Sequence, residues 1–309
     1  MKKFLLVVVA LCIASSAFAQ KAHVLKAFNK NQVPPPISAQ IYYGGGPVMS
    51  NPINVYVIYY GYWPKKSRGI VNQFVSHLGG SALFNTNTTY WQNSGANVGN
   101  VVNYNPATNS TIDLYSLGRN ISDTDVQTII SNVIAAGTFP ADEDGVYFVL
   151  TASDVNETAL GVGFCTYFCG YHYDSTSIVT GDIIKYSFVG NPARCPSSCD
   201  GSIGLYGDAT SPNGDVGGDG TVNIMYHELS EAASDPEFDL APAWGGGVTG
   251  ENGDMCAWFF GGTKLASNGS HYNLTLGPSN YLIQQMLKLT GTGVDPFYDG
   301  TCVRGLKVQ

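Results

Sequence analysis

The sequence predicts an α/β (α+β) fold, a single layered domain with a mixed sheet, stapled by disulfides. Three observations predict it. Two β-branched and aromatic runs, Asn54-Val-Tyr-Val-Ile-Tyr-Tyr60 and Gly145-Val-Tyr-Phe-Val-Leu-Thr151, read as buried strands, and two segments of helical periodicity separate them. Six cysteines follow the N-terminal apolar run, an even number that suits three disulfides. About 260 residues remain after Val48 with no internal repeat and no second linker, enough for one sizeable core.

The chain opens on Met1-Lys2-Lys3, an apolar run from Phe4 to Ile13 and a small-residue site ending at Ala19, the layout of a signal peptide over residues 1–19. That run is too short to span a bilayer, which argues against membrane insertion. Without Lys2 and Lys3 the basic count falls from 15 to 13 against 23 acidic residues, and the net charge from −8 to −10. Nucleic acid and anionic membranes are therefore poor partners. Residues 20–47, with Pro34-Pro35-Pro36 and Gly44-Gly45-Gly46, read as an extended N-terminal arm, and residues 48–309 as the globular domain.

After the first strand, Ile70, Val71, Phe74, Val75 and Leu78 recur at helical spacing and Gly79-Gly80 closes the segment. Ser122 and Asp125 begin a second helix whose stripe is Val126, Ile129, Ile130, Val133 and Ile134. Ile183 to Val189 is a further strand inside a stapled excursion, residues 165–200. Two more helices are expected, near 221–234 and near 279–289, the latter from Tyr281, Leu282, Gln285, Met286 and Leu289.

The six cysteines are Cys165, Cys169, Cys195, Cys199, Cys256 and Cys302, and fifteen pairings are open to them. Their two C-x3-C pairs also fit zinc thiolates, but export into an oxidising compartment favours disulfides. Sequons at Asn87, Asn109, Asn120, Asn156, Asn268 and Asn273 would accept N-glycans in a eukaryotic host.

The chemistry concentrates in His227-Glu-Leu-Ser-Glu-Ala-Ala-Ser-Asp235. On a helix, His227, Glu231 and Asp235 fall within roughly 80° of one another, opposite Val222, Tyr226, Leu229 and Ala233. His-Glu-x-x-Glu differs by one residue from His-Glu-x-x-His, in which side chains at i and i+4 grip zinc and the intervening glutamate is the general base. Here His227 and Glu231 would be ligands and Glu228 the base. Glu251, in Gly250-Glu-Asn-Gly-Asp254, lies at a distance along the chain similar to the third ligand of metallopeptidases of the thermolysin type, a resemblance that implies a zincin-like layout. Asp235 and Asp254 are reserve ligands, and zinc is the expected metal, with calcium an alternative. A solvated helix face is the plainer account of the same residues.

Asp215 and Asp219 sit among glycines and read as turn formers before calcium ligands. His172, after Cys169-Gly-Tyr171, reads as structural. No Gly-x-Ser-x-Gly is present, so nucleophilic catalysis has little support. Tyr42, Tyr43, Trp63, Trp244 and Trp258 offer stacking surfaces for a glycan, though core packing explains most of them.

Taken together, Asn54 to Gly61, Gly145 to Asp154, Cys169-Gly-Tyr-His-Tyr173, Val189-Gly-Asn-Pro-Ala-Arg-Cys195, Pro212-Asn-Gly-Asp-Val-Gly217 and His227 to Glu231 resemble the phosphate-induced (EXORDIUM-like) family. The resemblance spans about residues 47–303. It implies a secreted or cell-wall protein of the apoplast, associated in plants with cell expansion, and carries no assigned biochemical activity. Two functions are therefore expected: a metal-dependent, peptidase-like hydrolase of a peptide or cell-wall polymer, or a non-enzymatic matrix protein binding glycan or protein partners.

Overall fold

A computed structural model describes residues 24–28, 37–159, 161–176 and 179–306; the predicted signal peptide, with Cys12, and His23 lie outside them. Among the described residues the main sheet has seven strands. Its centre is β3 (Ile53–Tyr60), parallel on one side to β6 (Gly145–Thr151) and on the other to β4 (Val102–Asn103) and β5 (Ser110–Asp113). Beyond β6 lies β8 (Ile183–Gly190), also parallel, and then β7 (Phe168–Thr176), antiparallel to β8. The outermost strand is β1 (Val24–Lys26), antiparallel to β7. The expected mixed sheet is thus found, and β3 and β6 are buried along nearly their whole length, which explains why they read as continuous apolar runs.

Helices α1 (Lys65–Ser76) and α2 (Asp123–Ala135) form where periodicity places them. Ser122 accepts from the Asp125 amide while the Asp125 carboxylate accepts from the Ser122 amide, a capping box that fixes the start of α2. The third helix, α3 (Val216–Ser234), is buried on every side from Gly217 to Ser234 and packs on α1, β7 and β8. Its ligand-type residues are therefore core, and the solvated-face account is ruled out.

Two expectations need correction. Residues 279–289 are not a helix: Ser279–Tyr281 is a short strand and Met286 begins β9 (Met286–Val294), which pairs with β10 (Phe297–Val303). Tertiary bonds override the helical spacing, because Asn273 accepts from the Ile283 amide and donates to its carbonyl while Asn223 accepts from the Gln284 amide. The arm, in turn, supplies β1 to the main sheet and β2 (Ser38–Tyr42) to a three-stranded sheet with β10 and β9.

Three disulfides pair Cys165 with Cys195, Cys169 with Cys199 and Cys256 with Cys302. The first two tie the start of β7 to the turn after β8. Among the described residues no helix is long and apolar enough to cross a membrane. The disulfides fit an oxidising, extracellular compartment. Two sequons are occupied by structure: Asn87 is fully buried, and the Asn273 amide is spent on Phe260 and Ile283.

Candidate metal centre

Three segments converge at the C-terminal half of α3. The helix itself brings His227, Glu228 and Glu231; β7 brings His172; the loop before Cys256 brings Glu251 and Asp254. The disulfides hold the last two segments in place, Cys169 lying three residues before His172 and Cys256 two residues after Asp254. Glycines allow the close approach. A Cβ on Gly253 would sit 2.8 Å from both Glu231 Oε1 and His227 Nδ1, and one on Gly170 would sit 3.0 Å from Glu228 Oε1. Gly245, at φ +105, lies under Glu251, whose Cγ a side chain there would strike.

Two groups of three ligand atoms, each within 4.8 Å of one another, share Glu231: His172, Glu228 and Glu231, and His227, Glu231 and Asp254. His172 Nδ1 lies 3.5 Å from Glu228 Oε2 and 3.4 Å from Glu231 Oε2, and its Nε2 lies 3.6 Å from Glu251 Oε1. His227 Nε2 is 3.0 Å from Glu231 Oε1 and 3.8 Å from Asp254 Oδ1. The Asp254 amide donates to Glu231 Oε1 at 2.9 Å, so the loop orients the carboxylate it faces. Of these side chains only that of Asp254, 27% exposed, reaches solvent appreciably.

Burial works to neutralise every one of these groups, and their neighbours decide the result. Burial disfavours charged His172, but the carboxylates of Glu251, Glu228 and Glu231 outweigh it and hold its pKa well above the usual imidazole range. His227 behaves alike, pushed up to about 9 by Glu231 against the same burial. Burial also opposes ionised Glu231, yet the two imidazoles keep its pKa well below the usual carboxylate range. Burial raises Glu228 and Glu251, and takes Asp254 up to about 7, with the charge on Glu231 adding to it.

Of the residues the sequence singles out, His227, Glu228 and Glu231 meet here. Glu251 is adjacent but belongs to neither group of three, its carboxylate facing the far nitrogen of His172. Asp254, a reserve ligand, belongs to one. Asp235 is used otherwise: its oxygens accept from the amides of Ala243 and Gly246, at 2.5 and 3.4 Å, stapling the helix end to the next loop. Asp219 is saturated by Ser211 and Asn213, and Asp215 caps α3 by accepting from the Gly218 amide. His172 is the residue that sequence reasoning placed outside the chemistry. A lone histidine in a strand carries no spacing signal, and only the pairing of the strand beside α3 reveals it. The proposed stacking aromatics Tyr43, Trp63, Trp244 and Trp258 are buried in the core.

The conserved region of phosphate-induced protein 1 matches residues 41–280, which contain every member of the cluster. The chain belongs to the phosphate-induced (EXORDIUM-like) family. Protein EXORDIUM-like 3 of Arabidopsis thaliana is 30% identical over 273 residues, 78% of this chain and 78% of its own length. Protein EXORDIUM-like 5 of the same plant is 31% identical over 71% of this chain and 64% of its own. Protein PHOSPHATE-INDUCED 1 of Nicotiana tabacum is 27% identical over 65% of this chain and 66% of its own. No solved structure matches.

Proposed function

We propose that this member of the EXORDIUM-like family is a secreted, extracellular or cell-wall hydrolase whose buried cluster holds a divalent cation on His227, Glu231 and Asp254, with Glu228 as general base. The observation that carries the reading is a set of buried atoms without hydrogen-bond partners: both ring nitrogens of His172 and of His227, both oxygens of Glu228, and Glu231 Oε2. Burying charge without compensation is costly, and a cation satisfies several acceptors at once. Zinc suits a set containing imidazole, whereas calcium takes six to eight oxygens.

A cation bound there supplies a Lewis acid that polarises a carbonyl and makes a water more acidic. Glu228 accepts a proton from the attacking water. As the C–O bond forms and the C–N bond of a peptide breaks, that proton passes to the leaving amine. His172, beside Glu228 Oε2, orients the base, and Glu251 on the opposite ring nitrogen holds the imidazole. The second reading, a structural ion in a non-enzymatic wall protein, is favoured by the complete burial of His227 and Glu231.

Metal content by plasma mass spectrometry, with turnover of quenched peptides, separates the two. About one zinc per chain is expected, lost in His227→Ala. Glu228→Gln is expected to keep the metal and lose turnover. A chain without metal after exposure to zinc sinks both readings, and undiminished turnover in Glu228→Gln sinks the hydrolase.

A further inference from the structure

We propose that the outer edge of β7 is a binding site for an extended peptide and that β1 is the chain's own occupant of it, a proposal that names the substrate class of the hydrolase reading and rests on it. Edge strands present unpaired backbone groups and recruit extended segments by strand addition. On this edge β1 pairs for three residues, Val24 opposite Tyr171, Leu25 opposite Gly170 and Lys26 opposite Phe168. Among the described residues the pairing ends at Val24, and β7 continues past it through His172 to Thr176.

Position links this edge to the chemistry. His172 is the next residue after the partner of Val24. Gly170, the partner of Leu25, has its backbone against α3 at Ile224 and Glu228, closely enough that a Cβ would stand 2.6 Å from the one and 3.0 Å from the other. A strand laid on β7 therefore runs past the general base, and β1 packs against α3 as it does so. The cluster is buried with β1 packed on α3, so departure of β1 is expected to open it.

The occupant describes the ligand. Val24 and Leu25 are buried and Lys26 is exposed. Trp258 donates its indole N–H to the Lys26 carbonyl at 2.7 Å, and the amides of Ala27 and Phe28 donate to the carbonyls of Tyr167 and Ser198. Edge pairing and two buried aliphatic positions favour an extended peptide with adjacent bulky aliphatic residues. A three-residue strand is short, but its covalent attachment raises its local concentration over that of a free peptide. The arm therefore competes with any peptide in solution.

The test uses the full chain carrying Glu228→Gln, which removes cleavage, and a labelled peptide copying residues 22–28, followed by fluorescence anisotropy. Adding Leu25→Asp places a charge where β1 is fully buried and releases it; hydrogen exchange at Phe168 to Tyr171 reports the release. At least tenfold tighter peptide binding is expected in the released chain, none with a peptide bearing proline at the Leu25 position, and renewed exchange protection when peptide is added. If Leu25→Asp loses its folded circular dichroism, Leu25→Asn is expected to give a smaller gain in the same direction. Equal binding in released and parent chains overturns the proposal. Binding without turnover in the chain with native Glu228 leaves this site standing and removes the hydrolase, whereas metal and turnover without peptide binding do the reverse.

Discussion

Helix α3 carries an acidic cluster at each end, and they are solved differently. At the N-terminal end Asp215 accepts from the Ser67 hydroxyl at 2.8 Å and the Gly218 amide at 2.8 Å, while Asp219 accepts from Ser211 and from the amide and side chain of Asn213. Every carboxylate oxygen there has a donor, and the helix N-terminus itself favours negative charge. Twelve residues on, Glu228 and Glu231 meet His172 at 3.5 and 3.4 Å and His227 meets Glu231 at 3.0 Å, yet most of the polar atoms of these four side chains make no hydrogen bond. The first end is complete as protein. The second has an excess of acceptors that fits a cation, which is why composition alone does not distinguish them and donor accounting does.

The largest expected effect follows from that accounting. Zinc added to chelator-treated protein is expected to stabilise it by about 4 kcal/mol when free zinc is 1,000-fold above Kd, or roughly 8–16 °C in Tm for a domain of this size. His227→Ala should abolish the shift, and Asp219→Asn should preserve it. A shift of equal size in His227→Ala, measured by scanning calorimetry, would place the ion elsewhere and collapse the contrast between the two ends.

The reverse experiment comes next. Asp219→Ala strands the Ser211 and Asn213 donors in a buried site and is expected to cost about 1–3 kcal/mol in urea unfolding, with zinc content unchanged. Loss of zinc together with stability would mean that the two ends are one system.

Much of this was legible beforehand, and the exceptions share a cause. Periodicity reveals α1, α2, α3, β3, β6 and β8 because each buries a stripe or run long enough to repeat. His227-Glu-x-x-Glu231 is legible because i and i+4 on one helix are neighbours by geometry alone. What the sequence withholds depends on partners distant in the chain: the strand character of Met286–Val294, set by β10; the three-residue β1; the disulfide pairing; and His172, brought to Glu228 by strand order and by the absence of a side chain at Gly170. The burial of the ligand face belongs with these, since an amphipathic pattern cannot tell solvent from a second packed layer.

A simpler case lies off the helix, in the short strand Asn156–Ala159. Glu157 is buried, with Oε1 accepting from Tyr171 at 3.0 Å and Oε2 without a hydrogen bond. Burial lifts its pKa to about 8, the Tyr171 hydroxyl acting against it. A single carboxylate lacking one donor is thus satisfied by a proton, where several converging ones favour a metal. The sign follows from linkage: the folded chain keeps the proton that the unfolded chain releases above about pH 4.5, so the group's contribution to stability falls as pH rises from there to about 8, and is constant beyond. Glu157→Gln is therefore expected to flatten the decline of unfolding free energy across that window by a fraction of one proton, below about 1.4 kcal/mol per pH unit. Parallel slopes for the two proteins in urea titrations at pH 5, 6 and 7 would show that Glu157 is already ionised when folded, and that burial without a donor is not what separates the two ends of α3.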